Sequence, residues 1–150
     1  MDLPFLLYGC GLTAAMLAAS LTVSAYPNWR LACAALAVFV NWVVGTTFAM
    51  TSGVTDGWWF SLAIDAAAAV AILYGLSSQW QVALGLTYCL QIAMHIAYAA
   101  LPLGDPWPYY SALTAIAWLQ LMMVVGWSGD IWLRQSRHET DVSGSAKRHP

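Results

Sequence analysis

Charge is what this 150-residue sequence has least of. Charged residues make up 8% of it, against roughly 25% in soluble domains. Between Leu3 and Gly129 the only charged side chains are Arg30, Asp56, Asp65 and Asp105. So few charges cannot cover a soluble fold of this size, which excludes water as the main solvent. A formal net charge of -2 offers no basic surface, so a nucleic-acid partner is excluded as well.

Cysteine and histidine are scarce too, and so are the motifs that carry chemistry. Cys10, Cys33 and Cys89 are odd in number, show no C-x-x-C spacing and fall inside apolar runs, so they read as small buried hydrophobes. Of His95, His138 and His149, two lie in the polar C-terminal stretch, which excludes a bis-histidine haem held within one chain. The sequence contains no nucleotide-binding loop, no G-x-S-x-G elbow and no H-E-x-x-H. Asp65 has no acidic companion within the apolar runs, so a catalytic carboxylate pair is excluded. The expectation is a non-enzymatic protein with no catalytic residue, no cofactor and no metal site.

What the sequence does have is apolar length. Apolar residues make up 61% of the chain and gather into five runs, each near the ~20 residues that cross a hydrocarbon core. The runs cover approximately residues 3–25, 29–50, 57–76, 80–101 and 109–130. Tyr26-Pro27-Asn28, Thr51-Ser52-Gly53, Ser77-Ser78-Gln79 and Gly104-Asp105-Pro106-Trp107-Pro108 punctuate them. Val23-Ser24-Ala25 loosely resembles a signal-peptidase site, but the start carries Asp2 and no Lys or Arg, so a retained first helix is expected. The expected fold is an all-α integral membrane protein. A five-helix transmembrane bundle occupies 1–133, and 134–150 is a polar, disordered tail.

Five spans put all five Lys and Arg residues on one side: Arg30 in the first connection, then Arg134, Arg137, Lys147 and Arg148. Asp2, Asp56 and Asp105 fall on the other. Positive charge marks the cytoplasmic face, so the N-terminus is expected outside and the C-terminus inside. Tyr26, Trp29, Trp58, Trp59, Trp80, Trp107, Trp127 and Trp132 fall near run ends, where an indole or phenol can reach the headgroups. Trp42 and Trp118 are mid-run exceptions. Ala66 to Ala69, Gly9, Gly11, Gly45 and Gly85 are small enough for close helix packing.

The polar residues inside the runs carry the functional expectation. Counted at about 1.5 Å per residue from the outer end, Asp65 lies roughly 13 Å deep, Asn41, Gln91 and Thr13 roughly 15 Å, His95 roughly 9 Å and Gln120 roughly 18 Å. Asn41, Asp65, Gln91, His95 and Gln120 thus form one intramembrane polar layer, with Gln91 and His95 on one face of the fourth helix. A bare carboxylate at Asp65 costs several kcal/mol in hydrocarbon, so a partner such as His95, or protonation, is required. Two readings stand. The polar groups are hydrogen-bonding glue between helices, on the order of 0.6–2 kcal/mol each, or Asp65 and His95 line a path for a proton, cation or polar solute.

Together these features point to a small multi-pass protein of a bacterial cytoplasmic (inner) membrane. Its expected role is permeation of a proton or small polar solute, or service as a helper subunit. Its expected partners are the lipid bilayer and a homo-oligomer or larger membrane complex. The alternative is a phage-encoded, holin-like or virion-associated membrane protein that acts by oligomerising.

Overall fold

The apolar runs become helices, and residues with specific cap chemistry end them. A computed structural model describes residues 3–52, 58–75, 77–101 and 107–146. They form α1 (Leu3–Ala25), α2 (Trp29–Ser52), α3 (Trp58–Leu73), α4 (Gln79–Ala100) and α5 (Trp107–Ala146). Asn28 caps α2 by accepting the Leu31 amide at Oδ1, 3.1 Å away. Ser78 caps α4 by accepting the Trp80 amide at Oγ. Gly75 stops α3 by turning into the left-handed region, at φ 63°, where a side chain would be strained. Gln81 then fastens the α3–α4 turn: its Nε2 donates to the Ile72 carbonyl, and its Oε1 accepts from the Ser77 amide and hydroxyl.

Four of the five helices are long and apolar enough to cross a membrane: Leu6–Ala25, Trp29–Phe48, Gln79–Ala100 and Trp107–His138. The remaining helix, α3, expected over residues 57–76, has 16 residues, about 24 Å at 1.5 Å per residue, against a hydrocarbon core of about 30 Å. The last helix differs in the other direction. It does not stop near 130 but continues to Ala146, through the segment expected to be a disordered tail. Asp130 and Arg134, paired one turn apart at 2.8 Å, support the helix where the composition turns polar. Asp2, Asp56, Asp105, Lys147, Arg148 and His149 lie outside the described residues.

Each helix packs on its neighbours in chain order, and α5 returns to α1, so the five close into a ring; α2 also meets α5 across it. The core is small and apolar: Leu12, Ala15, Leu31, Ala34, Val38, Ala69, Ile72, Leu84 and Val124 are all buried. The outer faces are apolar too, with Leu21 65%, Val70 70% and Leu86 62% exposed. An apolar exterior around a partly polar interior is the arrangement lipid selects. Cys10, Cys33 and Cys89 belong to that exterior: all three are free and exposed, a correction to their expected burial. The run of small residues also divides. Gly11 and Gly85 face neighbouring side chains, whereas Gly9 and Gly45 have nothing within 4 Å of where a Cβ would sit.

Around the bundle, three connections can be placed by a shared groove. Asn28 and Arg30, Ser77 to Gln79, and Asp130 and Arg134 all line it. The α1–α2 connection, the α3–α4 connection and the polar continuation of α5 therefore lie at one end of the bundle. On α1, Thr22 joins this end to α5 by accepting the Trp132 indole N–H at 3.1 Å.

Gly85 makes room on α4 for Leu73 of α3, because a Cβ there would overlap the Leu73 side chain. Gly85→Val is expected to destabilise the bundle by about 1–3 kcal/mol, read as a lower midpoint of unfolding in detergent. Adding Leu73→Ala should restore part of the loss. A midpoint unchanged by Gly85→Val would mean that the two helices are not packed this closely.

Candidate functional site

Helical register turns Asp65 inward. Asp65, Ala68, Ala69 and Ile72 occupy one buried stripe of α3, at spacings of three and four. The matching stripe of α4 runs through Leu84, Tyr88, Gln91 and His95. The alanines keep the two backbones close, so the polar ends of both stripes meet. His95 Nε2 lies 2.9 Å from Asp65 Oδ2, with both side chains almost fully buried. From α2, Asn41 Nδ2 donates to Asp65 Oδ1 at 2.6 Å. The carboxylate thus has a donor at each oxygen.

Tyr109, in the first turn of α5, completes the set: its hydroxyl lies 2.5 Å from His95 Nδ1. A phenol has one proton to give. Given to Nδ1, it leaves the imidazole proton on Nε2, directed at Asp65. One line of hydrogen bonds therefore runs Asn41–Asp65–His95–Tyr109 and ties four helices together. Gln91 and Gln120 form a separate pair, Gln120 Nε2 donating to Gln91 Oε1, which joins α4 to α5 again.

These groups border an open cavity of about 480 Å³ to which all five helices contribute. Asn41, Asp65, Gln91, His95 and Gln120 all line it. Tyr8 and Trp42 form an aromatic wall, their rings stacked at 5.6 Å, and Trp118 meets Tyr8 edge-on at 5.5 Å. Thr46, Ser61 and Thr114 add hydroxyls, and among the described residues no Lys or Arg lines the space. The cavity occupies the half of the bundle that holds the starts of α1, α3 and α5. In the other half, Leu31, Ala35, Ile72, Leu84 and Val124 belong to one apolar cluster, and the buried hydroxyls of Thr22, Thr87 and Ser128 and the Gln81 amide donate to backbone carbonyls. Tyr88 lies at the boundary, fully buried, with a hydroxyl that has no partner among the described residues.

The structure brings all five residues of the expected polar layer to one cavity, as a network of three plus Tyr109 and a pair of two. Thr13 does not join them. It is exposed and its hydroxyl bonds the Gly9 carbonyl 2.9 Å away, so α1 contributes Tyr8 instead. Sequence reasoning missed Tyr109 because an aromatic at a helix start reads as a headgroup anchor. Its register with Ile116 and Gln120, at spacings of seven and eleven, carried the signal that it faces inward.

The chain matches no protein-family profile, no curated protein and no solved structure. Among the described residues no group of His, Cys, Asp and Glu could hold a metal ion.

The two polar contacts differ in charge, and this sets their expected strengths. A double-mutant cycle of Asp65→Ala with His95→Ala should give a coupling above about 1 kcal/mol in detergent unfolding, because the contact is charge-assisted. The Gln91→Ala and Gln120→Ala cycle should fall near the ~0.6 kcal/mol average for hydrogen bonds between membrane helices. Equal couplings would show that Asp65 and His95 meet as neutral groups.

Proposed function

We propose that this chain is a non-enzymatic, multi-pass membrane protein that takes up a proton, or a small polar or cationic solute, at Asp65 and His95. The single observation behind this reading is the line Asn41–Asp65–His95, held by Tyr109, at the wall of a cavity reached by all five helices. Structural glue needs partners but no opening. Here the ionisable pair is both fully partnered and next to open space, and ionisable groups inside membranes are costly enough to mark functional sites by default.

The chemistry follows from the partners. Tyr109 and Asn41 hold the imidazole and the carboxylate in fixed orientations. A proton arriving from water in the cavity adds to Asp65 or His95 and leaves by the same route, with no covalent change elsewhere. A small cation would meet the carboxylate on one side and the faces of Tyr8 and Trp42 on the other. Lys or Arg in the wall would oppose either event, and among the described residues none is there.

In the proposed topology α3 is a short fifth span, the N-terminus is outside and the basic C-terminal stretch is cytoplasmic, in a bacterial inner membrane. Arg30 and Arg134 border the same groove at one end of the bundle, as the positive-inside rule requires of that arrangement. A single chain has an apolar layer below its cavity, so complete passage calls for rearrangement of that layer, a second copy or a larger complex. The helper-subunit role belongs to the same proposal.

Purified chain reconstituted in vesicles with an internal pH-sensitive dye should speed the decay of an imposed pH gradient. Asp65→Asn should abolish that effect while still inserting, and Tyr109→Phe should weaken it by loosening His95. Vesicles carrying the wild-type chain that leak no faster than empty ones, or an Asp65→Asn variant that leaks like the wild type, would leave the network as interhelical glue.

A further inference from the structure

The opposite end of the bundle carries a second polar site, chemically the reverse of the first. Between the α1–α2 connection, the α3–α4 connection and α5 lies a groove of about 460 Å³. Asn28, Arg30, Ser78, Gln79, Asp130 and Arg134 are in its wall. Two long helices, α2 and α4, begin here. Asn28 and Ser78 already accept the Leu31 and Trp80 amides, so what these two helix ends add to the groove is the positive end of the helix dipole. Neither helix has an acidic residue in its first turn to use that potential.

The cations reinforce it. Arg30 is in the first turn of α2, its guanidinium 5.2 Å from the centre of the Trp29 ring. Its Nε is buried and has no hydrogen-bond partner among the described residues, which is costly for a charged donor. Arg134 lies across the groove. Asp130 is the carboxylate in the wall, and its oxygens are already engaged: Oδ2 accepts from the Trp80 indole at 3.1 Å and from Arg134 Nη2, and Oδ1 accepts from Arg134 Nε. What the groove still offers is the Arg30 guanidinium, whose Nε has no partner among the described residues, the positive ends of two helix dipoles and the side-chain amide N–H groups of Asn28 and Gln79.

We propose that this groove binds a phosphate-type oxyanion. An oxyanion supplies several acceptors around one negative charge, which is what a guanidinium fork beside the positive ends of two helix dipoles recognises. The surroundings favour the headgroup of an anionic phospholipid as its source. Trp29 is 57% and Trp132 44% exposed at this end, and exposed indoles sit at headgroup level. The site is independent of Asp65 and His95, so neither proposal depends on the other.

The test compares the full chain and its variants, offered equal amounts of phosphatidylglycerol and phosphatidylcholine in detergent, by native mass spectrometry of the retained lipid. The wild type should keep phosphatidylglycerol by about fivefold or more, the factor expected of one basic residue near a charged surface. Arg30→Gln should bring the two lipids close to parity. Arg30→Lys should fall between, because it keeps the charge and loses the planar fork. Arg134→Gln, whose parent side chain is exposed, carries the same comparison should Arg30→Gln fail to fold.

A parallel calorimetric titration with sodium phosphate separates the sources. Phosphate binding that Arg30→Gln removes, without any lipid preference, assigns the site to a free oxyanion; lipid preference without phosphate binding assigns it to the headgroup. Equal retention of both lipids together with no phosphate binding overturns the proposal. A preference that survives both Arg30→Gln and Arg134→Gln overturns it as well.

Discussion

A carboxylate among apolar helices has to be met by donors from the protein, and much of this bundle is arranged around meeting one. Asp65 receives Asn41 from α2 and His95 from α4, and Tyr109 of α5 holds His95 in turn. Those contacts require α3 and α4 to lie close along their whole shared length. The alanine stripe below Asp65 and the absence of a side chain at Gly85 allow this. Packing and polar chemistry are thus one constraint. Larger residues on the stripe would push His95 out of reach, and loss of the hydrogen bonds would leave a buried charge with no compensation.

The two ends of the molecule differ in kind. One half surrounds an open space with amides, hydroxyls, aromatic rings and an ionisable pair. The other places two helix N-termini and two guanidinium groups around a groove. An apolar layer of Leu31, Ala35, Ile72, Leu84 and Val124 separates them. The molecule therefore has a direction, set by side-chain chemistry, although its helices look alike in composition.

Much of this architecture was legible in the residues, and the reasons differ from part to part. Helix existence followed from apolar run length, and the caps at Asn28 and Ser78 fell where polar punctuation stood. Run length could not show that α3 stops early, because Tyr74 and Leu76 are apolar and it is Gly75, by its backbone geometry, that ends the helix. Nor could composition show α5 continuing to Ala146, since a polar helix and a polar tail have similar residues. Depth counting grouped Asn41, Asp65, Gln91, His95 and Gln120, but depth contains no azimuth. It therefore admitted Thr13, which faces outward, and passed over Tyr109, which faces inward. The cysteines were misjudged for a related reason: in lipid an apolar neighbourhood does not imply burial, because the exterior is apolar too.

The shortness of α3 has a consequence for the surrounding solvent. Its outer face, with Val70 and Trp59 exposed, stands between the longer α2 and α4. In the proposed five-span topology, a bilayer meeting a helix several ångströms too short for it would adjust by thinning locally or by drawing headgroups inward. On this molecule the dimple would form beside the one helix that carries the buried carboxylate. The lipid thus becomes part of the dielectric setting of Asp65, and membranes of different thickness would present that carboxylate with different distances to water.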